Sequence, residues 1–206
     1  MRNLNIEIPR KIFHIIGTLF FLIPLYFFGN WAVTILCFFL LVLLIPIAYF
    51  KKINKLTGWF WFLIKNLERE ENLNTLPGKQ AFVLVLGILI SSIVFSKEIL
   101  QVCIITTAVY DGFATIIGMT AGKNKLPTGK TIEGTIGGII INFICLIPIL
   151  GVYNSLLVSV FASVVENLSS LDKWYLDDNF LLPIFTGLIL TILQIPAKFP
   201  QFFQSI

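Results

Sequence analysis

The sequence predicts an all-α integral membrane protein, a bundle of about seven transmembrane helices with an interfacial amphipathic helix after the second span. Of the 206 residues, 57% are hydrophobic and 13% are charged. Soluble domains average roughly 45–50% apolar and about 25% charged residues, so composition alone indicates a membrane protein. Several uncharged runs also approach the ~20 residues that a helix needs to cross a bilayer. No internal repeat or low-complexity segment interrupts residues 1–206, so we expect one domain.

Seven apolar runs are the candidate spans. In chain order they are residues 11–29, 31–50, 81–95, 98–121, 133–153, 155–168 and 180–195. The first, second, fourth and fifth are long enough to cross about 30 Å of hydrocarbon at about 1.5 Å per residue. The other three are short, and they require a thinned bilayer or shielding neighbours if they cross. The first run lacks a small-residue cleavage site, so we expect a retained span instead of a signal peptide.

The basic residues predict the orientation. With seven spans, one side of the membrane receives Arg2, Arg10, Lys11, Lys51, Lys52, Lys55, Lys65, Arg69, Lys79, Lys123, Lys125, Lys130 and Lys173. The other side receives only Lys97 and Lys198. Because positive residues accumulate in cytoplasmic loops, this asymmetry predicts a cytoplasmic N-terminus and places the polar groups on the cytoplasmic side.

The longest connection covers residues 51–80 and begins KKINKLTGWFWFLIKNLERE. It interleaves lysines with an aromatic run that is too short to cross a bilayer. Aromatic rings at headgroup depth and lysines toward anionic lipid are typical of an interfacial helix. An ordinary connecting loop is the alternative.

The three cysteines, Cys37, Cys103 and Cys145, all lie in apolar runs and far apart in sequence. Their spacing fits neither a metal site nor a predicted disulfide, so we interpret them as small buried hydrophobic residues.

Asp111 is the most informative single residue, because it lies inside an otherwise apolar span and is followed by Gly112. An ionisable group at depth in a bilayer costs at least ~2.5 kcal/mol, which makes Asp111 a candidate functional residue. Gly112 permits a break in the helix, which a membrane tolerates only where the freed backbone lines a cavity or packs on protein. The alternative is a buried acid that is hydrogen-bonded to a neighbouring helix.

A loop with three lysines, Lys123, Lys125 and Lys130, follows this span. Ammonium groups bind phosphate as point charges, and the next helix begins near Thr131, so its free N–H groups favour an anion there. Gly129-Lys130-Thr131 resembles the end of a P-loop, but position 124 is Asn where that motif requires glycine, and no strand precedes it. We therefore exclude a P-loop. A positively charged cytoplasmic loop without a ligand remains the alternative.

Four acids lie near the end of the sixth span and beyond it: Glu166, Asp172, Asp177 and Asp178. Mg²⁺ binds hard oxygen ligands, usually one or two carboxylates together with substrate phosphates. Glu166, Asp177 and Asp178 are beside apolar spans and are the candidate metal ligands, whereas Asp172 is interpreted as part of a solvated turn.

His14 is the only histidine, and it lies three and four residues after Lys11 and Arg10. This spacing places the three side chains on one face of the first helix near the interface. They are candidates for binding a phosphate or positioning a substrate hydroxyl. Basic residues that extend from a span end toward water are the alternative.

Taken together, these residues resemble the CTP-dependent lipid kinases: dolichol and polyprenol kinases, phytol kinase and the CTP-using diacylglycerol kinase. The resemblance covers RKIFH at 10–14, LERE at 67–70 with Gly78, VEN at 165–167 and DDNFLLP at 177–183. The strongest match is DGFATIIGMTAGKNKLPTGKTIEGTIGG at 111–138. This last motif also resembles the CDP-diacylglycerol synthases. Those enzymes end in a Lys-Asp pair and a Gly-Gly-x-x-Asp-Arg-x-x-Asp signature, which this sequence lacks.

The resemblance implies a kinase that transfers the γ-phosphate of CTP to a lipid alcohol in the bilayer, with Mg²⁺ as cofactor and a cytoplasmic active site. It implies catalytic roles for Asp111, Glu133, His14, Arg10 and Lys11. It implies nucleotide binding by Lys123, Lys125, Lys130, Thr131, Gly118 and Gly122, although the i, i+4 spacing of the two glycines also suits helix packing.

Two rival functions remain open: a CDP-diacylglycerol synthase, and a non-enzymatic transporter or lipid-binding protein. The sequence leaves the alcohol, the nucleotide and the oligomeric state open, a homodimer included. No nucleic-acid partner is expected.

Overall fold

The computed structural model describes residues 4–50, 58, 61–62, 77–169 and 174–200. Every regular element in these ranges is a helix. The α-helices are α1 (Leu4–Leu19), α2 (Leu22–Phe28), α3 (Asn30–Phe50), α4 (Lys79–Val94), α5 (Lys97–Thr120), α6 (Ile132–Leu150), α7 (Val152–Leu168) and α8 (Asp178–Ile192). A short 3-10 turn at Trp174–Leu176 precedes α8. The all-α prediction is therefore confirmed for the described chain.

The predicted spans all lie on helices, but the predicted number of crossing helices is not reached. Three stretches of the described chain are long and apolar enough to cross a membrane: Glu7–Phe28, Lys97–Thr120 and Ile132–Leu150. Four apolar helices are shorter: Asn30–Ile45, Lys79–Val94, Val152–Leu168 and Asp178–Ile192. The second predicted span is thus among the short ones, because only the part of α3 up to Ile45 has described side chains.

Helix α5 is the centre of the bundle. It packs against α1, α6 and α8, and more lightly against α4 and α7. Its residues from Leu100 to Gly112 are all buried, including the polar residues Gln101, Thr106, Thr107 and Asp111. Gly112 permits a break in the helix, but α5 continues through it without one. Gly112 instead makes room for α1: a Cβ atom there would lie 2.3 Å from Cγ1 of Ile15.

Small residues bring α5 and α6 close together below the lysine loop. A Cβ atom on Gly134 would lie 2.5 Å from the carbonyl oxygen of Ala114 and 2.9 Å from Cα of Gly118. Because these neighbours are backbone atoms, no rotamer change can make room for a larger residue. This close approach fixes where the loop leaves α5 and enters α6.

We expect Gly134→Ala to lower the free energy of unfolding by about 1–3 kcal/mol, the usual cost of overpacking a close-packed contact. Thermal unfolding of the detergent-purified protein measures the change. Gly17→Ala is the matched control, because a Cβ atom at Gly17 meets nothing within 4 Å and the residue lies inside α1. That control should be stabilising by up to about 1 kcal/mol. Equal unfolding temperatures for the two variants would contradict the tight α5–α6 contact.

The buried-cysteine prediction is correct for two of the three residues. Cys37 and Cys103 are buried, whereas Cys145 is exposed. Cys145 follows Ile144, which belongs to a row of exposed isoleucines one turn apart on the outer face of α6. A residue in an apolar run can therefore face outward instead of into the protein. The row consists of Ile132, Ile136, Ile140 and Ile144.

The predicted interfacial helix in residues 51–80 falls largely outside the described residues, as does Asp172.

Candidate functional site

Three carboxylates from three different helices meet at one end of the bundle. Asp111 comes from α5, Glu166 from the last turn of α7 and Asp178 from the first turn of α8. One oxygen from each lies within 4.8 Å of the others; the first two residues are buried and the third is half-buried. Since helices joined by short connections run antiparallel, the end of α7 and the start of α8 lie at the same end of the bundle. The structure therefore brings together three of the acids that the sequence singled out.

Helix α1 supplies cationic and imidazole groups to Asp111. Lys11 Nζ donates to both carboxylate oxygens at 2.7 Å, and the two side chains are only 9% and 1% exposed. Nε2 of His14 lies 3.1 Å from Oδ2 of Asp111. It is buried, yet it makes no well-directed hydrogen bond to any described residue. Lys11 thus neutralises the buried acid, and the His14 ring lies against the same carboxylate.

Lys130 is the loop lysine that reaches the acids. Its Nζ lies 3.1 Å from Oε1 of Glu166 and 3.8 Å from Oδ2 of Asp178. The same amine donates to the Glu166 carbonyl and, at 3.2 Å, to Oγ of Ser169. Lys123 and Lys125, which the sequence grouped with Lys130, are exposed on the loop. Only one of the three predicted phosphate-binding lysines is therefore part of the acid cluster.

The loop itself is ordered by Glu133. Its carboxylate accepts from the backbone N–H groups of Lys123 at 3.1 Å and Asn124 at 3.2 Å, and from the Asn124 side chain at 2.8 Å. Backbone hydrogen bonds join Leu126 to Lys130 and to Gly129, whose φ of 80° suits glycine. Glu133 therefore holds the shape of the loop, and its carboxylate faces loop backbone instead of the three acids.

Thr131, Gly118 and Gly122, which were predicted to bind nucleotide, have structural roles at the start of α6. The Thr131 hydroxyl caps α6 by accepting from the N–H of Gly134 at 3.2 Å. A Cβ atom on Gly118 or Gly122 would lie 2.7 or 2.8 Å from that same hydroxyl oxygen. These contacts account for both glycines by packing around the cap.

Arg10 points to a different partner from its neighbour Lys11. It forms a buried ion pair with Glu7, and its guanidinium also donates to the side chain of Gln80 at the start of α4. The predicted group of three basic residues therefore does not act at one place. Lys11 and His14 contact Asp111, whereas Arg10 connects α1 to α4.

Asp177, predicted as a metal ligand, caps α8. Its Oδ1 accepts from the N–H of Asn179 at 3.0 Å and from the Asn179 side chain at 2.9 Å. Burial, and then the adjacent Asp178 carboxylate, raise the pKa of Asp177 above its ordinary range. The group of mutually close carboxylates in the described chain contains Asp178 but not Asp177.

Tyr110 and Ser169 belong to the site, and our sequence interpretation missed both. The Tyr110 hydroxyl donates to Oε2 of Glu166 at 3.2 Å, so this glutamate is held by Tyr110 on one oxygen and by Lys130 on the other. The Tyr110 ring fits because residue 138 is glycine, where a Cβ atom would lie 3.1 Å from the ring. In the sequence, only position indicated a role for either residue: Tyr110 directly precedes Asp111, and Ser169 follows Glu166 by three residues.

The acid cluster has the right chemistry for a divalent cation. Carboxylate oxygens are the ligands that Mg²⁺ prefers, at about 2.0–2.1 Å, so two ligands of one ion lie at most about 4.2 Å apart. In octahedral geometry only one pair among three ligands can be that far apart and the other pairs are about 3 Å apart, so the present separations within 4.8 Å must shorten if one ion binds all three oxygens directly. Among the described residues, the three carboxylates form ion pairs with two ammonium groups, Lys11 and Lys130, so within this part of the chain negative charge exceeds positive charge at the cluster.

Comparison with known proteins finds similarity without a described activity. An uncharacterized protein of Methanocaldococcus jannaschii is 35% identical over 115 residues, which are 55% of this chain. The match spans 58% of the length of that relative. No protein-family model matches the chain, and no solved structure matches it.

Proposed function

We propose that this protein is a membrane-embedded lipid kinase that transfers the γ-phosphate of CTP to the hydroxyl group of a lipid alcohol with the help of Mg²⁺. The observation that carries the proposal is the convergence of Asp111, Glu166 and Asp178 beside Lys130 at one end of an apolar helical bundle. Such a cluster offers ligands for a divalent cation and an amine for phosphate in one place. The choice of CTP rests on the resemblance of residues 111–138 to the CTP-dependent lipid kinases.

The surrounding surface supports a membrane location. The exposed isoleucines of α6 repeat at every turn, and Phe13 and Ile16 of α1 and Phe20 directly after it are exposed as well. Exposed apolar rows of this kind suit contact with lipid, where a hydroxyl on an apolar tail is available as substrate. By the distribution of basic residues, the N-terminus and the acid cluster face the cytoplasm, where nucleotides are found.

Phosphoryl transfer places simple demands on the protein. The alcohol oxygen forms a bond to the γ-phosphorus, the bond between that phosphorus and the β–γ bridging oxygen breaks, and CDP leaves. The protein must align these atoms and neutralise charge on the phosphate oxygens. A Mg²⁺ held by Asp111, Glu166 and Asp178 would supply part of that neutralisation, and Lys130 would supply more.

The lipid hydroxyl needs a partner for its proton. His14 Nε2 is a buried nitrogen without a well-directed hydrogen bond in the described chain, 3.1 Å from the Asp111 carboxylate. In the proposed reaction the substrate hydroxyl approaches this His14–Asp111 pair, and the alcohol proton passes to the pair. Exposed Lys123 and Lys125 lie on the same loop as Lys130 and attract the nucleotide before it binds.

Labelled CTP tests the function. Purified protein is incubated with Mg²⁺ and CTP labelled at the γ-phosphate, together with diacylglycerol, a polyprenol, phytol or geranylgeraniol, and ATP replaces CTP in parallel. We expect the label in a lipid phosphate with at least one alcohol, and unlabelled CDP as the other product. In a parallel reaction with phosphatidate as acceptor, label in pyrophosphate would identify a CDP-diacylglycerol synthase instead. No CTP consumption with any acceptor would leave the non-enzymatic alternative.

A further inference from the structure

We infer that Lys130 is a built-in competitor for the divalent cation: in the nucleotide-free protein its ammonium holds the position between Glu166 and Asp178, and it must leave Asp178 when the metal binds. The inference rests on the metal site of the proposed function. It adds that metal binding and the placement of Lys130 are linked, so the lysine weakens metal binding when no nucleotide is present.

The contacts of Lys130 show why the two cations compete. Its Nζ lies within 4.0 Å of one oxygen from each of two acids, and these acids are two of the three candidate metal ligands. A divalent ion bound to the same oxygens would stand next to the ammonium. Like charges at such a distance repel strongly in a partly buried site, so both cannot keep their best positions.

Lys11 is the other candidate for displacement, and the geometry favours its retention. Lys11 lies on a helix, is 9% exposed and contacts both oxygens of Asp111 at 2.7 Å. Lys130 lies on a loop, is 26% exposed, and is 3.8 Å from Asp178. Breaking the long, more solvated contact costs less than breaking two short buried ones. Lys130 is therefore the amine that moves.

The displaced amine has neutral partners close by. The Glu166 carbonyl and the Ser169 hydroxyl both accept from Lys130 already, and neither belongs to the three acids. Thr128 Oγ1 lies 3.2 Å from Oδ1 of Asn167, which keeps the loop against the end of α7. Lys130 can thus give up Asp178 while staying beside the metal, where a metal-bound phosphate would be its next partner.

Metal binding without nucleotide tests the inference directly. The full chain, purified in detergent, is titrated with Mn²⁺ as the probe, and free Mn²⁺ is measured by electron paramagnetic resonance. We expect Lys130→Met to bind Mn²⁺ about tenfold more tightly than the wild type, because the competing charge is gone. Lys130→Arg keeps the charge and should bind like the wild type. Lys125→Met, an exposed lysine of the same loop, should also bind like the wild type.

Adding a nonhydrolysable CTP analogue provides the second half of the test. The analogue should increase the Mn²⁺ affinity of the wild type by a larger factor than that of Lys130→Met. In the wild type the lysine then contacts phosphate instead of repelling the metal. Unchanged or weaker Mn²⁺ binding by Lys130→Met without nucleotide would overturn the inference. Lys130→Gln, a second neutral variant, is titrated in the same way, so poor folding of one variant does not decide the result.

The two proposals fail separately. If wild-type protein transfers the γ-label to lipid while Lys130→Met gains no Mn²⁺ affinity, the kinase proposal stands and the competition is rejected. If Lys130→Met gains affinity while no label is transferred, the cation competition stands and the kinase function is rejected.

Discussion

Asp111→Asn is expected to reduce lipid phosphorylation by about 1000-fold or more and to destabilise the protein as well. The activity falls because a metal ligand is lost, and metal-based charge neutralisation is worth several kcal/mol in the transition state. The stability falls because the Lys11 ammonium, which is only 9% exposed, loses the negative charge that it contacts at 2.7 Å through both oxygens of Asp111. Removing one partner of a buried ion pair costs about 3–5 kcal/mol.

A double variant separates these two effects. Lys11→Met combined with Asp111→Asn removes both charges, so the free energy of unfolding should recover most of the loss while activity stays absent. Denaturant unfolding in detergent measures the first quantity, and transfer of γ-label from CTP measures the second. Near-wild-type turnover in the single variant would contradict the role of Asp111. A double variant that is less stable than Asp111→Asn would contradict the buried pair.

The second large effect is expected at Asp178. Asp178→Asn should lower turnover by about 100-fold or more, again through loss of a metal ligand, with little change in stability. Stability is preserved because Asp178 is half-buried, and Lys130 keeps Glu166 at 3.1 Å when the 3.8 Å contact is removed. Turnover is measured at saturating lipid over a range of Mg²⁺ concentrations, where a weakened metal site raises the concentration required.

Asp177→Asn is the matched control for this prediction, because asparagine caps a helix about as well as aspartate. The control should retain activity within about tenfold of the wild type, since Asp177 acts on the α8 backbone. Glu98→Gln, at the opposite end of α5, should leave activity unchanged. If Asp177→Asn loses as much activity as Asp178→Asn, then Asp177 is a ligand, as the sequence alone had suggested.

The convergence of Asp111, Glu166 and Asp178 could be predicted from the sequence because it depends on topology. Alternating helices place the end of one span and the start of the next at the same side, and an acid among apolar residues is conspicuous wherever it occurs. The choice between Asp177 and Asp178 could not be predicted in this way. Adjacent helical residues differ by about 100° in direction. Whether an aspartate at a helix start caps the backbone or faces the other acids depends on its side-chain rotamer, which the sequence does not specify.

The roles of the basic residues and of Glu133 depend on tertiary contacts that spacing does not encode. Arg10 and Lys11 are neighbours in sequence, yet one pairs with Glu7 and the other with Asp111. Glu133 was predicted to be catalytic because of its motif, and its oxygens accept from the loop backbone.

Fewer helices of the described chain are long and apolar enough to cross a membrane than the sequence predicted, and hydropathy alone does not distinguish lipid-facing from protein-facing residues. Val83, Val85 and Ile88 of α4 are buried, and α4 has 16 residues. An apolar run of this length is as suitable for the inside of a bundle as for crossing a membrane.

The most direct measurement is the number of Mn²⁺ ions that purified wild-type protein binds at saturation, compared with Asp178→Asn and Glu98→Gln. If the three carboxylates form a metal centre, the wild type and Glu98→Gln bind Mn²⁺ saturably, Mg²⁺ displaces it, and Asp178→Asn loses the binding. Equal binding by all three proteins, or no saturable binding by the wild type, would contradict a metal centre formed by Asp111, Glu166 and Asp178.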